Sequence, residues 1–263
     1  MSEAYVDIHC HLLPGIDDGA RDWDDALAMA RAAVADGTRT IIATPHQLGT
    51  FGQNRGDDIR QLTVELNERL EGAGIPLHVL PGGEARLEPE LVQKIVSGDV
   101  VTLGDRRRHV LVELPHDVYL PLDGLMEELA ARRITVILAH PERNLGLAQR
   151  TNFLSPLVDA GCLLQITAGS LCGTHGGEAQ EFAEWMIGEG LVHLVATDAH
   201  GPRTRRPLMG RAYERLCELA DEQTAHDLCC RLPARVAAGR TVTIGRRSAT
   251  RCRAHWFAWR ASA

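Results

Sequence analysis

No stretch of about eighteen apolar residues occurs in this 263-residue chain, so no transmembrane helix is expected. The opening Met1-Ser-Glu-Ala-Tyr5 lacks the basic and apolar regions of a signal peptide, which places the expected location in the cytoplasm. No Cys-x-x-Cys pair is present, and the seven cysteines are an odd, scattered set. Reduced thiols fit that pattern better than a disulfide framework. There is no basic excess: 28 Lys and Arg face 35 Asp and Glu, a net charge of −7. That balance argues against a general nucleic-acid binder. A phosphate site is not, because metals and a few arginines can make one region locally positive. Low-complexity linkers are also missing before residue 240, so residues 1–245 are read as one domain.

What is present is an alternation of short apolar runs with longer amphipathic segments. Strands are expected at Tyr5–His9, Thr40–Thr44, Leu77–Pro81, Val110–Leu114, Thr135–Ala139, Leu163–Thr167 and His193–Thr197. Helices are expected at Asp22–Ala35, Asp57–Glu71, Leu125–Arg132, Gln180–Ile187 and Leu208–Leu219, the first with Asp22 as N-cap. Repeated strand–helix units with near-continuous apolar strands indicate a parallel sheet covered by helices. Seven strands suggest a closed or nearly closed barrel, with a doubly wound open sheet as the competitor. Residues 246–263 differ: five arginines, no acid, and Trp256 and Trp259. This tail suits a basic, aromatic contact with a membrane surface or an acidic partner. It is read instead as a disordered or loosely docked terminus.

The strand ends carry the chemistry. His9 and His11 stand two apart, so on a strand both imidazoles project from one face and form a chelate. The next strands run into Thr44-Pro-His46, Pro81-Gly-Gly-Glu84, Val112-Glu113-Leu-Pro115, Ala139-His140-Pro-Glu-Arg143 and Thr197-Asp198-Ala-His200. Only the strand ending at Thr167 lacks an obvious ligand. Sites of parallel α/β folds lie at the carboxyl ends of strands. Each element alone has an ordinary explanation: Asp17-Asp18-Gly19 as a turn, Glu113 as an ion-paired acid, His140 as a structural histidine. Their placement at six of seven strand ends points to a metal site. Imidazoles mixed with carboxylates suit Zn, Mn, Fe or Co rather than Ca. No cysteine joins them, which argues against a structural zinc site. Nine candidates, His9, His11, Asp18, His46, Glu84, Glu113, His140, Asp198 and His200, exceed the need of one ion. Glu84 could bridge two ions about 3.5–4 Å apart, a hydrolytic arrangement. Asp7 is set aside as a supporting residue.

These motifs, in this order over roughly residues 5–240, resemble the PHP-type protein-tyrosine phosphatases found with bacterial capsule and exopolysaccharide synthesis genes. The resemblance implies a distorted (β/α)7 barrel with about three ions, commonly manganese. It implies one ion on His9, His11, Glu84 and Asp198, a second on Glu84, Glu113 and His140, and a third on Asp18, His46 and His200. It further implies two phosphate-holding arginines, Arg143 and, among Arg203, Arg205 and Arg206, Arg205. An autophosphorylating tyrosine kinase of polysaccharide export is the implied partner, with no nucleic acid involved; a homo-oligomer is compatible. The expected reaction is metal-activated attack of water on phosphotyrosine. Two other readings stand beside it: hydrolysis of histidinol phosphate or a small phosphodiester, and a non-catalytic kinase-binding regulator. Gln47 and Phe51-Gly-Gln-Asn54 depart from the family pattern after His46.

Three further features stand outside this set. Cys229-Cys-Arg-Leu-Pro-Ala-Arg235 fits Cys-x5-Arg formally, but Pro233 removes an N–H and no glycine is present, so a cysteine phosphatase loop is not expected. Cys10, between two ligands, is expected in the core. Gly169–Gly177 is either a substrate-side loop or a turn into a helix.

Overall fold

The computed structural model describes residues 4–242 and 245–246. The tail reading for 246–263 falls, apart from Arg246, outside the described residues. The strands are β1 (Tyr5–Cys10), β2 (Thr38–Ala43), β3 (His46–Gln47), β4 (His78–Pro81), β5 (Glu84–Arg86), β6 (His109–Glu113), β7 (Thr135–Ala139), β8 (Leu163–Thr167) and β9 (Leu194–Ala196). All ladders are parallel, in the orders β1-β2-β4 and β3-β5-β6-β7-β8-β9.

Two of the seven expected strands, Thr40–Thr44 and Leu77–Pro81, are each followed across a break by a second short strand that was not expected. Pro45 interrupts the second, because it has no N–H to give a ladder; β2 pairs with β4, and β3 beyond Pro45 pairs with β5. Gly82 and Gly83 divide the third. A Cβ on Gly83 would sit 2.2 Å from Gln47 Oε1, so only glycine allows this approach. Joined across these breaks, the strands lie beside their sequence neighbours throughout. That order belongs to a (β/α)7 barrel and lacks the reversal of a doubly wound sheet. The seam between β9 and β1 carries no regular ladder. It is tied by the Cys10–Ala199 bridge, by Asp198 N donating to His9 O (2.8 Å) and by His11 N donating to Ala199 O (2.9 Å).

Helices cover the sheet where the apolar spacing directs. In Trp23–Ala35 the buried residues are Ala26, Met29, Ala30 and Ala33, a single stripe, and Asp22 caps the helix by accepting from Asp25 N. Gly56–Gly72 buries Ile59, Thr63, Leu66 and Leu70 at the same period. Asp123–Ala130, Gly177–Gly188 and Met209–Leu219 continue the series within two or three residues of expectation. Leu91–Ser97 and the short helical turns after Ala139 and Asp221 had no clear sequence signal. Ile41, Leu66 and Leu70 belong to one apolar cluster beneath the first two helices; Leu111, Ile137, Leu164 and Phe182 belong to the larger one.

Candidate metal centre

β1 ends with His9 and His11 fully buried, their Nε2 atoms 3.3 Å apart. Each ring is oriented from behind. His9 Nδ1 lies 2.9 Å from Gln165 Oε1, and His11 Nδ1 lies 2.7 Å from Asp17 Oδ2. Such partners fix the tautomer and turn the other nitrogen toward the cluster. Asp17 is itself held by Gly19 N (2.9 Å) and His46 N (3.1 Å). Gly19 packs so closely on β1 that a Cβ would lie 2.2 Å from His11 O. The turn Asp17-Asp18-Gly19 is thus a turn whose first carboxylate positions one histidine and whose second faces two others.

Glu84 is the hub. Its Oε1 lies 2.8 Å from His140 Nε2. Its Oε2 lies 3.0 Å from His46 Nδ1, 3.3 Å from His9 Nε2 and 3.4 Å from His11 Nε2. Despite these three neighbours, Oε2 has no acceptable hydrogen bond. Three imidazoles crowding one buried carboxylate oxygen is a geometry suited to a cation between them. Asp198 Oδ1 lies 3.4 Å from both His9 Nε2 and His11 Nε2. Its Oδ2 accepts from Arg143 and, at 2.6 Å, from Arg205. Asp18 Oδ1 is 3.3 Å from His200 Nε2 and 3.4 Å from His46 Nε2. Glu113 stands further out, 3.8 Å from His140 and 3.9 Å from His46.

The field of the cluster favours positive charge. Burial alone would raise Glu84 and Asp198, but the surrounding imidazoles, His9 first, hold both well below the usual carboxylate range. Burial would lower His46; Asp18 and Glu84 outweigh it and push it up to about 10. Burial and then the Glu84 charge raise Glu113. Five carboxylates (Asp17, Asp18, Glu84, Glu113, Asp198) face two guanidiniums, so once the imidazoles give up their protons to act as ligands, bound cations must take over the balancing charge. The donor set therefore fits divalent ions of the Mn, Fe, Co or Zn type.

The backbone bends to present these groups. His140 (φ 32°), Asp198 (φ 50°) and Arg205 (φ 47°) are non-glycine residues in the left-handed region. Such positions cost on the order of 1–3 kcal/mol each and concentrate at functional sites.

All nine expected ligands meet here. Four groups have ligand atoms within 4.8 Å of one another: His11, Asp18, His46 and His200; His9, His11 and Glu84; His9, His140 and Asp198; His46, Glu84 and Glu113. These sets overlap the three implied by the resemblance without matching them one for one, since His9, His11 and His46 each fall in two. Of the three candidate arginines, Arg205 reaches Asp198, while Arg203 and Arg206 are exposed.

Sequence reasoning missed Gln165 and Asp17 as the groups behind His9 and His11. The strand judged empty of ligands supplies Gln165, and its inward position on β8 was the available signal. Asp7 is a tie rather than a ligand: it accepts from Thr197 N, Thr197 Oγ1 and His9 N, and burial pushes its carboxyl up to about 6. Gln47 is structural. Its amide donates to Asn54 O and Asp99 O and accepts from Val101 N. Phe51 stacks on His46 with centroids 5.2 Å apart. Cys229 is fully buried in the π-helical turn Asp227–Arg231, its thiol raised well above the ordinary value by burial, and Arg235 is spent on Thr241 O. Cys10 lies in the core. Of the Gly169–Gly177 segment, Gly169–Leu171 lie in a short helix and the remainder turns into the helix at Gly177, the second expected reading; His175 within it lines one groove with Arg143. His175 is pushed down to about 4, by burial first and then by Arg143 and Arg205.

The chain is similar to several known proteins. Tyrosine-protein phosphatase YwqE of Bacillus subtilis (strain 168) is 41% identical over 202 residues, covering 76% of this chain and 79% of the relative. Putative tyrosine-protein phosphatase CapC of Staphylococcus aureus is 33% identical over 210 residues, 78% of this chain and 80% of CapC. A solved structure from work on YwqE and Streptococcus pneumoniae CpsB, described as unique metal-dependent tyrosine phosphatases, superposes with a TM-score of 0.87. It is 36% identical and covers 91% of this chain and 96% of that one. Dihydropyrimidinase from Brevibacillus agri shares the fold alone, at a TM-score of 0.53 and 12% identity over 94% of this chain and 74% of its own. The sequence model of capsular polysaccharide synthesis proteins CpsB/CapC matches residues 5–238, and the chain belongs to that family.

Proposed function

We propose that this chain is a metal-dependent protein-tyrosine phosphatase. The observation that carries the proposal is the buried hub of Glu84 and Asp198, ringed by histidines and flanked by Arg143 and Arg205. Ions bound there would supply positive charge for phosphoryl oxygens and lower the pKa of water toward about 7. His9, His11, Asp18, His46, Glu84, Glu113, His140, Asp198 and His200 would hold them, with about three ions and manganese as the expected metal.

The chain's own residues do the rest. Arg143 and Arg205 converge on one carboxylate oxygen, so their guanidinium groups also stand close enough together to grip one phosphate. On substrate binding, phosphoryl oxygens would share or replace Asp198 Oδ2 as their acceptor. The charge that spreads over those oxygens during transfer is then met by fixed donors. Gln165 and Asp17 keep His9 and His11 from rotating. The tyrosinate leaving group has a conjugate-acid pKa of about 10, which lessens the need for a strong general acid.

The family setting supports a phosphotyrosine protein as substrate, and an autophosphorylating tyrosine kinase of capsule or exopolysaccharide export as its source. No described helix is long and apolar enough to cross a membrane. Cys10, Cys162, Cys172, Cys217 and Cys229 are reduced thiols, which supports a reducing, cytoplasmic setting. The test is phosphate release from phosphotyrosine peptides and from histidinol phosphate with Mn, Fe, Co or Zn, before and after chelation. Peptide turnover that stops with metal removal and returns with metal is expected. Turnover untouched by exhaustive chelation, or a preference for histidinol phosphate, would overturn the reading.

A further inference from the structure

A groove of about 500 Å³ opens beside the metal centre, between the Arg143–Gln149 segment and the His175–Ala179 segment. It begins at Arg143, which also lines the small cavity reaching Glu113 and His140. The groove is thus continuous with the place where phosphate would sit. Its walls are mixed: Leu145, Ala148 and Ala179 are apolar, and Gln149 and Glu178 stand among its polar groups.

The rim is also apolar. Among the described residues five large apolar side chains are exposed; one, Leu145 (45%), lines the groove, and two more, Val118 (50%) and Leu120 (37%), lie just after His116 in the 115–120 segment packed behind it. Scattered exposed apolar residues need no explanation, but a cluster at the mouth of a site does. The rim is pinned in place. Leu145 N donates to His116 O (3.0 Å), and Asn144 Nδ2 donates to Pro115 O (2.7 Å) and Val118 O (3.2 Å). Tyr119 stacks on Phe153 with centroids 4.8 Å apart. A Cβ on Gly146 would lie 2.4 Å from Tyr119 N, so the two segments touch backbone to backbone. A surface held this firmly loses little entropy when something binds to it.

We propose that this groove binds the peptide flanking the phosphotyrosine, and that Leu145 makes the enzyme prefer an apolar residue beside it. The proposal rests on the phosphatase reading. A phosphotyrosine held through its phosphate at Arg143 has to send its chain out over a neighbouring surface, and this groove starts at that arginine. The volume exceeds what one aromatic ring fills, which leaves room for an adjoining side chain. Binding energy gathered there, away from phosphorus, distinguishes a protein substrate from a small aryl phosphate.

The test uses manganese-loaded full-length protein and two substrates. One is a phosphotyrosine peptide with leucine on both sides of the phosphotyrosine; the other is p-nitrophenyl phosphate. Leu145→Glu places charge on the wall, and Gln149→Trp fills the groove from an exposed position; melting temperatures check folding. The expected result is a KM for the peptide raised about tenfold in both variants with kcat retained, and p-nitrophenyl phosphate kinetics changed less than about twofold. Unchanged peptide KM, or equal losses on both substrates, would overturn the groove assignment and leave the phosphatase reading standing. Wild-type protein that releases phosphate from neither substrate would overturn the phosphatase reading and the groove with it.

Discussion

Two clusters of opposite charges flank cavities of similar size in this molecule, and only one has the makings of a catalytic centre. Around Arg60, a cavity of about 510 Å³ is lined by Arg55, Asp57, Asp99, Asp105 and Arg107. Its acids are all paired: Arg60 bonds Asp105 at 2.8 Å and Asp57 at 3.0 Å, and Arg55 lies 3.3 Å from Asp99. The Asp57 side chain is 98% exposed, so water solvates what the pairs do not. At the strand ends the reverse holds. Glu84 and Asp198 are buried, negative charge outnumbers the arginines, and Glu84 Oε2 lacks a hydrogen bond. Exposed, balanced pairs contribute little and ask for nothing further. Buried, unbalanced carboxylates need a cation.

The largest test of that difference is Glu84→Gln. Removing the hub charge should lower phosphotyrosine turnover about a thousandfold or more, as loss of a major transition-state electrostatic group does. Metal content of the purified variant should fall in parallel, and a fully loaded, fully active variant would break the comparison. Next is Arg143→Lys, which keeps charge but loses the planar fork. A drop of about ten- to a hundredfold in kcat/KM is expected. An unchanged value would remove Arg143 from phosphate binding.

A buried group that belongs to neither cluster sharpens the contrast. His109 opens β6, is 2% exposed, and is pushed down to about 4 by burial, then by Arg108. Its folded-state pKa lies below the unfolded value of about 6.5, so the unfolded chain takes up the proton first as pH falls. The neutral ring's contribution is intact above pH ~6.5 and is lost progressively toward pH ~4, by at most about 3 kcal/mol. Melting temperatures from pH 7 to 4.5 should fall more steeply for wild type than for His109→Leu; parallel curves would refute the assignment. The smallest effect is expected from Arg60→Ala, no more than about 1 kcal/mol in stability with turnover unchanged. A larger loss of turnover would show that the exposed cluster also matters to function.

Much of the fold is legible in the sequence because its signals are local. The stripe Ala26, Met29, Ala30, Ala33 and the Asp22 cap dictate a helix without reference to the rest of the chain. The β7 and β8 limits coincide with their apolar runs because those runs are buried on both faces. The ligand residues are legible for a related reason: strand ends share one face of a parallel sheet, so residue type and position suffice. Gln165 was not, since an amide carries no metal signature and its role depends on His9, 156 residues away in sequence. Nor were the breaks at Pro45 and Gly82-Gly83 assigned, although both carried a signal.

The amino-acid order alone determined the parallel α/β architecture, the absence of a spanning helix among the described residues, and the nine side chains that meet at the strand ends. Periodicity, capping and residue chemistry act over a few positions and need no partner. Tertiary structure decided which carboxylate is the hub, which arginine among three neighbours reaches Asp198, and that His140 and Asp198 are held in left-handed backbone. Those outcomes turn on distances of 3–4 Å between residues far apart in the chain, and only the packed strands set them.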